Sequence, residues 1–318
     1  MVETHSRIRY GNAPMEKSLA HQPRAGLSPL AVAVITLLTL LWGFNYVAIK
    51  VSNESISPVF ASAIRSVIAS ICGVIYCMRT GQKLFHRDVM LIHGLVVGVL
   101  FGLEFACIYF GLLYTDAARS VVFVYLAPFI VAVGAHFFLK GDRLTLLKGF
   151  GLILAFGGVL AVFQGKPKGS GSNMLFGDVL QITAAFLWAA TTLYIKKFMA
   201  AKIHPINTFL YQLVFSIPIL FVVSLILEPQ WIASFTLKAS VSLFYQSVIV
   251  AFASYFVWFK LIHDFPVSRL SSFTFFTPVF GVLFGVLIMG EELTLSLMVG
   301  LPLVCAGIFF VNWKKENG

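Results

Sequence analysis

The sequence predicts an all-α membrane protein with ten transmembrane helices arranged as two inverted five-helix repeats. Three observations carry this reading. The 318 residues are 59% hydrophobic and only 11% charged, whereas a soluble domain carries roughly a quarter charged residues. The apolar residues gather into long runs, each near the roughly 20 residues that a helix needs to cross hydrocarbon. Short motifs of the first half also return in the second half at a nearly constant offset.

The first run, 29–50, follows a polar, basic tail of residues 1–28 with Arg7, Arg9, Lys17 and Arg24. It is too long for the apolar stretch of a secretory signal and offers no small-residue cleavage site, so it reads as a retained span. The second run, 57–78, is closed by Gly81. The third, 89–113, is separated from the fourth, 116–138, by little more than Thr115 and Asp116. Lys140, Gly141 and Asp142 turn the chain into the fifth run, 144–163. A glycine- and lysine-containing linker, 164–173, leads to 174–198, 207–227, 239–262, 267–289 and 294–313, and residues 314–318 form a short tail. Helices are required because lipid offers no partner to an open backbone. Barrel strands are excluded, since they alternate over about ten residues.

The repeats are legible as matched pairs. Leu41-Trp42 returns as Leu187-Trp188, and Ile49-Lys50 as Ile195-Lys196. Ser57-Pro58 matches His204-Pro205, Pro128 matches Pro278, and Leu144-Thr145 matches Leu293-Thr294. The first repeat is thus 29–163 and the second 174–313. Five spans per repeat is an odd number, so the halves cross in opposite directions. With both termini cytoplasmic, 17 lysines and arginines fall on the cytoplasmic side and five on the outer side. That asymmetry obeys the positive-inside rule and sets the orientation; the expected location is the cytoplasmic (inner) membrane.

Inverted repeats are a transporter signature, with the solute site near the midplane between halves. The net charge of +10 is scattered singly between apolar runs, which argues for topology and against nucleic acid. Cys72, Cys77, Cys107 and Cys305 lie inside apolar runs with no metal-ligand spacing. No HExxH, nucleophile elbow or phosphate loop appears, so the reading is of a non-enzyme without cofactor or metal. Transport then draws on the solute gradient or on protons. The expected partners are a small-molecule solute and lipid, and the expected state is a monomer or weak dimer.

Two charges lie deep in spans, where ionisable groups mark function. Arg65 and Glu104 sit about 12–14 Å below the outer surface at 1.5 Å per residue. Matching depth on antiparallel neighbours brings them together as an ion pair. Such a pair is a gate or proton-coupling switch, or else a permanent device that fixes helix register. Asn45, Tyr46, Tyr109, Gln181, Tyr211, Gln212, Gln246 and Tyr255 are candidates to line a cavity beside Arg65 and Glu104, with Trp188, Trp42 and Trp258 as apolar walls. Tyrosine and tryptophan at interfaces are the bland alternative. Pro128 and Pro278 are hinge candidates or static kinks. Gly94, Gly98 and Gly102, and likewise Gly281 and Gly285, have the four-residue spacing of close helix contact. His136 and His263, near the cytoplasmic span ends, read as interface residues.

The stretches LWGFNYVAIK, SPVFASAIRSVIAS, YTDAARSVVFVYLAPFIVAVGAHFFLKGDRLT and LSSFTFFTPVFGVLFGVLIMGEELT resemble the EamA-type branch of the drug/metabolite transporter superfamily over about residues 30–313. The resemblance implies a ten-helix inverted-repeat fold and transport of amino acids or related metabolites, often outward. The second half departs from the first in Gln212 against Arg65 and in Trp188-Ala189 against Trp42-Gly43. An importer of a metabolite or nucleotide-like cofactor is the alternative within the class. A non-transporting membrane scaffold or membrane-embedded enzyme is the alternative outside it.

Overall fold

The structure is a computed structural model, and it describes residues 28–85, 89–138, 145–164, 173–199, 202–264, 273–274 and 276–312. Among these residues the secondary structure is helical, apart from one isolated antiparallel bridge between Ile56 and Ile232. The first half comprises α1 (Pro29–Asn53), α2 (Pro58–Thr80), α3 (Val89–Gly111), α4 (Ala117–Val124), α5 (Ala127–Phe138) and α6 (Leu146–Gln164). The second half comprises α7 (Met174–Tyr194, continued as π-helix to Met199), α8 (Pro205–Leu227), α9 (Leu237–Phe244), a π-helix (Tyr245–Ser254), α10 (Tyr255–Asp264), α11 (Phe276–Met289) and α12 (Leu295–Asn312). The polar tails, most of the linker and the stretch before α11 lie outside the described residues, as does the His263 side chain.

Local signals explain the ends. The Ser28 hydroxyl accepts from the Ala31 N–H at 3.2 Å, and Pro29 opens α1 where its missing donor costs nothing. Pro58 and Pro205 open α2 and α8 in the same way. Gly81 ends α2 at φ 68°, a left-handed conformation that suits glycine. The fourth run is interrupted: Tyr125 and Leu126 form a turn between α4 and α5.

Seven helical segments are long and apolar enough to cross a membrane, and three shorter apolar helices accompany them. The packing is inside-out relative to a soluble protein. Leu30, Ile71, Ile92, Leu146, Phe156, Leu225 and Leu295 face outward, whereas Arg65, Glu104, Arg119, Asp178, Gln181 and Gln246 are buried. Only lipid makes that distribution stable.

Helix pairing is unchanged when the halves are exchanged. α2 packs on α8, α4 on α11, and α6 on α12. α3 packs on α7, as α9 and the following π-helix pack on α1. Matched helices also point oppositely. Lys50, near the end of α1, reaches the start of α4, as does Asp178 in the first turns of α7. Glu228 follows the end of α8 and binds the start of α2. Small residues let these pairs approach: a Cβ at Gly98 would stand 2.2 Å from that of Phe215 on α8.

Candidate functional site

In the bundle interior α1, α2, α3 and the π-helix converge on Gln246. Its side-chain N–H groups donate to the Ala48 carbonyl (3.1 Å), the Ser52 hydroxyl (3.1 Å) and the Ser242 hydroxyl (3.2 Å), while its side-chain oxygen accepts from the Tyr109 hydroxyl. The Gln246 main-chain carbonyl accepts from Arg65 Nε at 3.3 Å. Ten residues of π-helix are unusual, since the form occurs mostly as single-turn bulges at functional sites. The Gln246 carbonyl that meets Arg65 lies in this π-helical stretch.

Arg65 is fully buried. Nη2 donates to the Tyr255 hydroxyl at 3.2 Å, and the guanidinium lies 4.2 Å from the centre of the Phe105 ring, a cation–π contact. Among the described residues its Nη1 has no hydrogen-bond partner. Glu104, adjacent in sequence to Phe105, is 5% exposed, and its Oε2 is likewise unpartnered. Among the described residues the ion pair expected between these charges does not form within 4.0 Å. Arg65 is turned instead onto Gln246, Tyr255 and Phe105. Asn45, on α1, adds a third buried atom without a partner, Oδ1.

The other sequence candidates separate into two groups. Tyr46 is buried within electrostatic reach of Glu104, Tyr125 and Tyr255. The indole N–H of Trp42 donates to the Ser254 hydroxyl at 2.9 Å, and its ring meets Tyr255 and Trp258 edge-on. Trp188 meets Tyr125 edge-on, with ring centres 5.3 Å apart. These residues adjoin the centre. Gln181 instead ties α7 to α3 by donating to the Ile108 carbonyl at 3.1 Å. Tyr211 fills the space over Gly94 and stacks on Phe215, with Gln212 buried beside it in α8. Pro128 and Pro278 occupy the first turn of α5 and of α11, so neither removes a hydrogen bond from a helix interior.

A second concentration of charge lies at the bundle end where α1 finishes. Glu291 accepts from the Ala117 and Ala118 N–H groups at 2.8 and 2.9 Å, capping α4, and pairs with Lys50 at 3.3 Å. Lys50 also reaches the Thr115 carbonyl and lies 3.8 Å from Asp116. Asp178 takes a charge-assisted bond from Arg119 Nη2 and a hydroxyl bond from Thr115, and Arg119 donates onward to the Val162 carbonyl. Glu228 caps α2 through the Val59 and Phe60 N–H groups at 2.7 and 2.9 Å, and accepts from Ser224 at 2.6 Å. In each case a carboxylate of the second half holds the first half. Sequence reading placed Lys50 and Arg119 on the outer side, within the ends of their apolar runs, and missed these clamps. The available signal was modest: acidic residues close to helix ends.

A polytopic helical bundle with a polar, charged centre between two matched halves defines a membrane transport protein. This chain belongs to the EamA-like transporter family, whose profile matches residues 29–164 and 175–313, one match per half. It is similar to the "Uncharacterized transporter YoaV" of Bacillus subtilis (strain 168), 28% identical over 276 residues that span 86% of this chain and 94% of the relative. It is also similar to the "Probable amino-acid metabolite efflux pump" of Escherichia coli (strain K12), 28% identical across 88% of this chain and 95% of that protein. A crystal structure with 16% sequence identity superposes with a TM-score of 0.66 over 89% of this chain and 96% of its own, which supports the fold.

Proposed function

We propose that this chain is a secondary transporter that moves amino acids or related metabolites by alternating access, with a bias toward export. Its seven long and three short apolar helices are then ten spans in two inverted five-helix repeats. The basic bias of the connections puts both termini in the cytoplasm of a cell whose inner membrane holds the protein. The observation that carries the reading is the buried polar centre, where Arg65, Glu104 and Asn45 each keep an atom without a partner among the described residues. Groups left so in a low-dielectric interior are costly, and a bound solute satisfies them. The efflux-pump name of one relative supports the substrate class.

Arg65 and Glu104 are the gate or proton-coupling candidates, Pro128 and Pro278 the hinge candidates. Tyr109, Gln181, Tyr211, Gln212, Gln246 and Tyr255 join Asn45, Tyr46 and Trp188 as candidates for the cavity that opens during the cycle. The test is reconstitution of the purified full-length chain in proteoliposomes, followed by counterflow with labelled amino acids. Saturable exchange is expected, together with tolerance of toxic amino-acid analogues in cells that express the chain. Counterflow indistinguishable from protein-free vesicles across the whole panel would end this reading. A tag at either terminus that is reachable from outside intact cells would end the topology.

A further inference from the structure

We infer that Arg65 and Glu104 are the two poles of one subsite, built for a solute that carries a carboxylate and an ammonium group together. The inference rests on the solute-transport reading above and assigns the contacts within it. Two opposite charges are buried on neighbouring helices, α2 and α3, and yet they stand beyond ion-pair distance of one another. Arg65 is held in that posture by three contacts: the Gln246 carbonyl, the Tyr255 hydroxyl and the Phe105 ring. These contacts leave one guanidinium edge, Nη1, unfilled. Across from it in charge, Glu104 keeps Oε2 unfilled, and Asn45 keeps Oδ1.

The chemistry of the vacant atoms specifies the ligand. Nη1 is a cationic donor and takes a carboxylate. Oε2 and Oδ1 are acceptors and take an ammonium N–H, with the Glu104 charge opposite the positive group. A singly charged amine leaves Arg65 buried and unsatisfied, and a singly charged acid leaves Glu104 so. Both arrangements keep the penalty that a dipolar solute removes. The Gln246 hub is a positioning element here. By anchoring to Ala48, Ser52, Ser242 and Tyr109, it sets the carbonyl that aims Arg65.

The deciding experiment needs no variant. In proteoliposomes of the full-length chain, counterflow of labelled leucine is challenged with unlabelled leucine, with isoamylamine, which lacks the carboxylate, and with 4-methyl-2-oxopentanoate, which lacks the amine. Each half-molecule is expected to compete on the order of 10,000-fold more weakly, as expected when a site built to bond a polar group meets an analogue without it. If leucine is not carried, the amino acid found by the panel replaces it, with its own amine and keto acid. Equal competition by either half-molecule overturns the two-pole subsite while transport stands. Saturable flux of purely cationic or anionic solutes alone does the same. No saturable flux at all overturns the transport reading and the subsite with it. As a second measurement, Glu104→Gln and Arg65→Gln should each lose leucine counterflow while still eluting as the wild type does in detergent size-exclusion chromatography. A folded variant with wild-type flux sinks the assignment of that pole.

Discussion

The two groups of buried charge in this bundle are equally hidden and differently satisfied. At the end where α1 finishes, Arg119 is 4% exposed and Asp178 1% exposed, and the two are joined directly, with Thr115 and the Val162 carbonyl completing the set. In the centre, Arg65 and Glu104 are as deep, but they stand apart with vacant atoms. Burial alone therefore does not mark a functional charge. A buried pair with every partner in place holds helices together. A buried charge that its neighbours position without satisfying is kept for something that arrives later.

The largest effect that tests this contrast belongs to the end cluster. Asp178→Ala strands the Arg119 guanidinium between the Phe123 ring and the Val162 carbonyl. Breaking a buried pair from one side costs about 3–5 kcal/mol. A matching fall in thermal stability in detergent is expected, with transport lost along with the fold. A stability near that of the wild type would show the pair to be as dispensable as a surface bridge. Next comes Gln246→Leu, which orphans the Tyr109 hydroxyl and takes one bond each from Ser52 and the Ala48 carbonyl, which keep their bonds to the Ile49 carbonyl and the Ser242 hydroxyl. About 1–3 kcal/mol is expected for such a buried group left unmade. Its transport should also fall, because the main-chain carbonyl that aims Arg65 loses its side-chain anchors; unchanged flux would separate the hub from the site. Glu228→Gln comes third. It keeps an acceptor at the α2 terminus but removes the charge facing two N–H groups, a loss of about 0.5–2 kcal/mol by analogy with other caps. Transport by this variant should stay near wild type, as measured by initial counterflow rates.

What the sequence discloses follows from how local each feature is. Run length and turn residues are local, so α2, α6 and α12 begin and end within about two residues of where apolarity starts and stops, with α2 at Pro58–Thr80 against the run 57–78. The repeat is legible because proline, tryptophan and leucine-threonine pairs keep a nearly constant offset. The clamps are not legible, because their partners are distant along the chain. Glu291 binds α4 from more than 170 residues away, and Asp178 reaches Arg119 across 59. A charge near a span end reads as a loop charge until its partner is known. Helix rotation is equally hidden. Depth arithmetic puts Arg65 and Glu104 at one level but says nothing of the angle at which each leaves its helix, and that angle directs Arg65 to Phe105 instead. The π-helix leaves no trace in composition, since a change of hydrogen-bond register requires no particular side chain. The interruption at Tyr125 and Leu126 is hidden for a similar reason: both residues are apolar, and the run passes over them unbroken.

The smallest effect on stability is the most informative. Glu104→Gln removes a charge that has no ion-pair partner within 4.0 Å among the described residues. It keeps the shape of the side chain and retains one acceptor oxygen. A structural charge would be missed on such a change, whereas an unsatisfied one is a burden whose removal leaves stability equal or higher. The melting temperature in detergent should therefore stay level or rise, in the opposite direction to Asp178→Ala. Transport should nevertheless be lost, because a neutral amide no longer answers a positive group. The two readouts together sort the possibilities. Lower stability with lost transport makes Glu104 a structural partner like Asp178, and the contrast between centre and end collapses. Equal stability with retained transport makes it a spectator. Only equal or raised stability with lost transport leaves Glu104 as a group held in reserve by the fold for its solute.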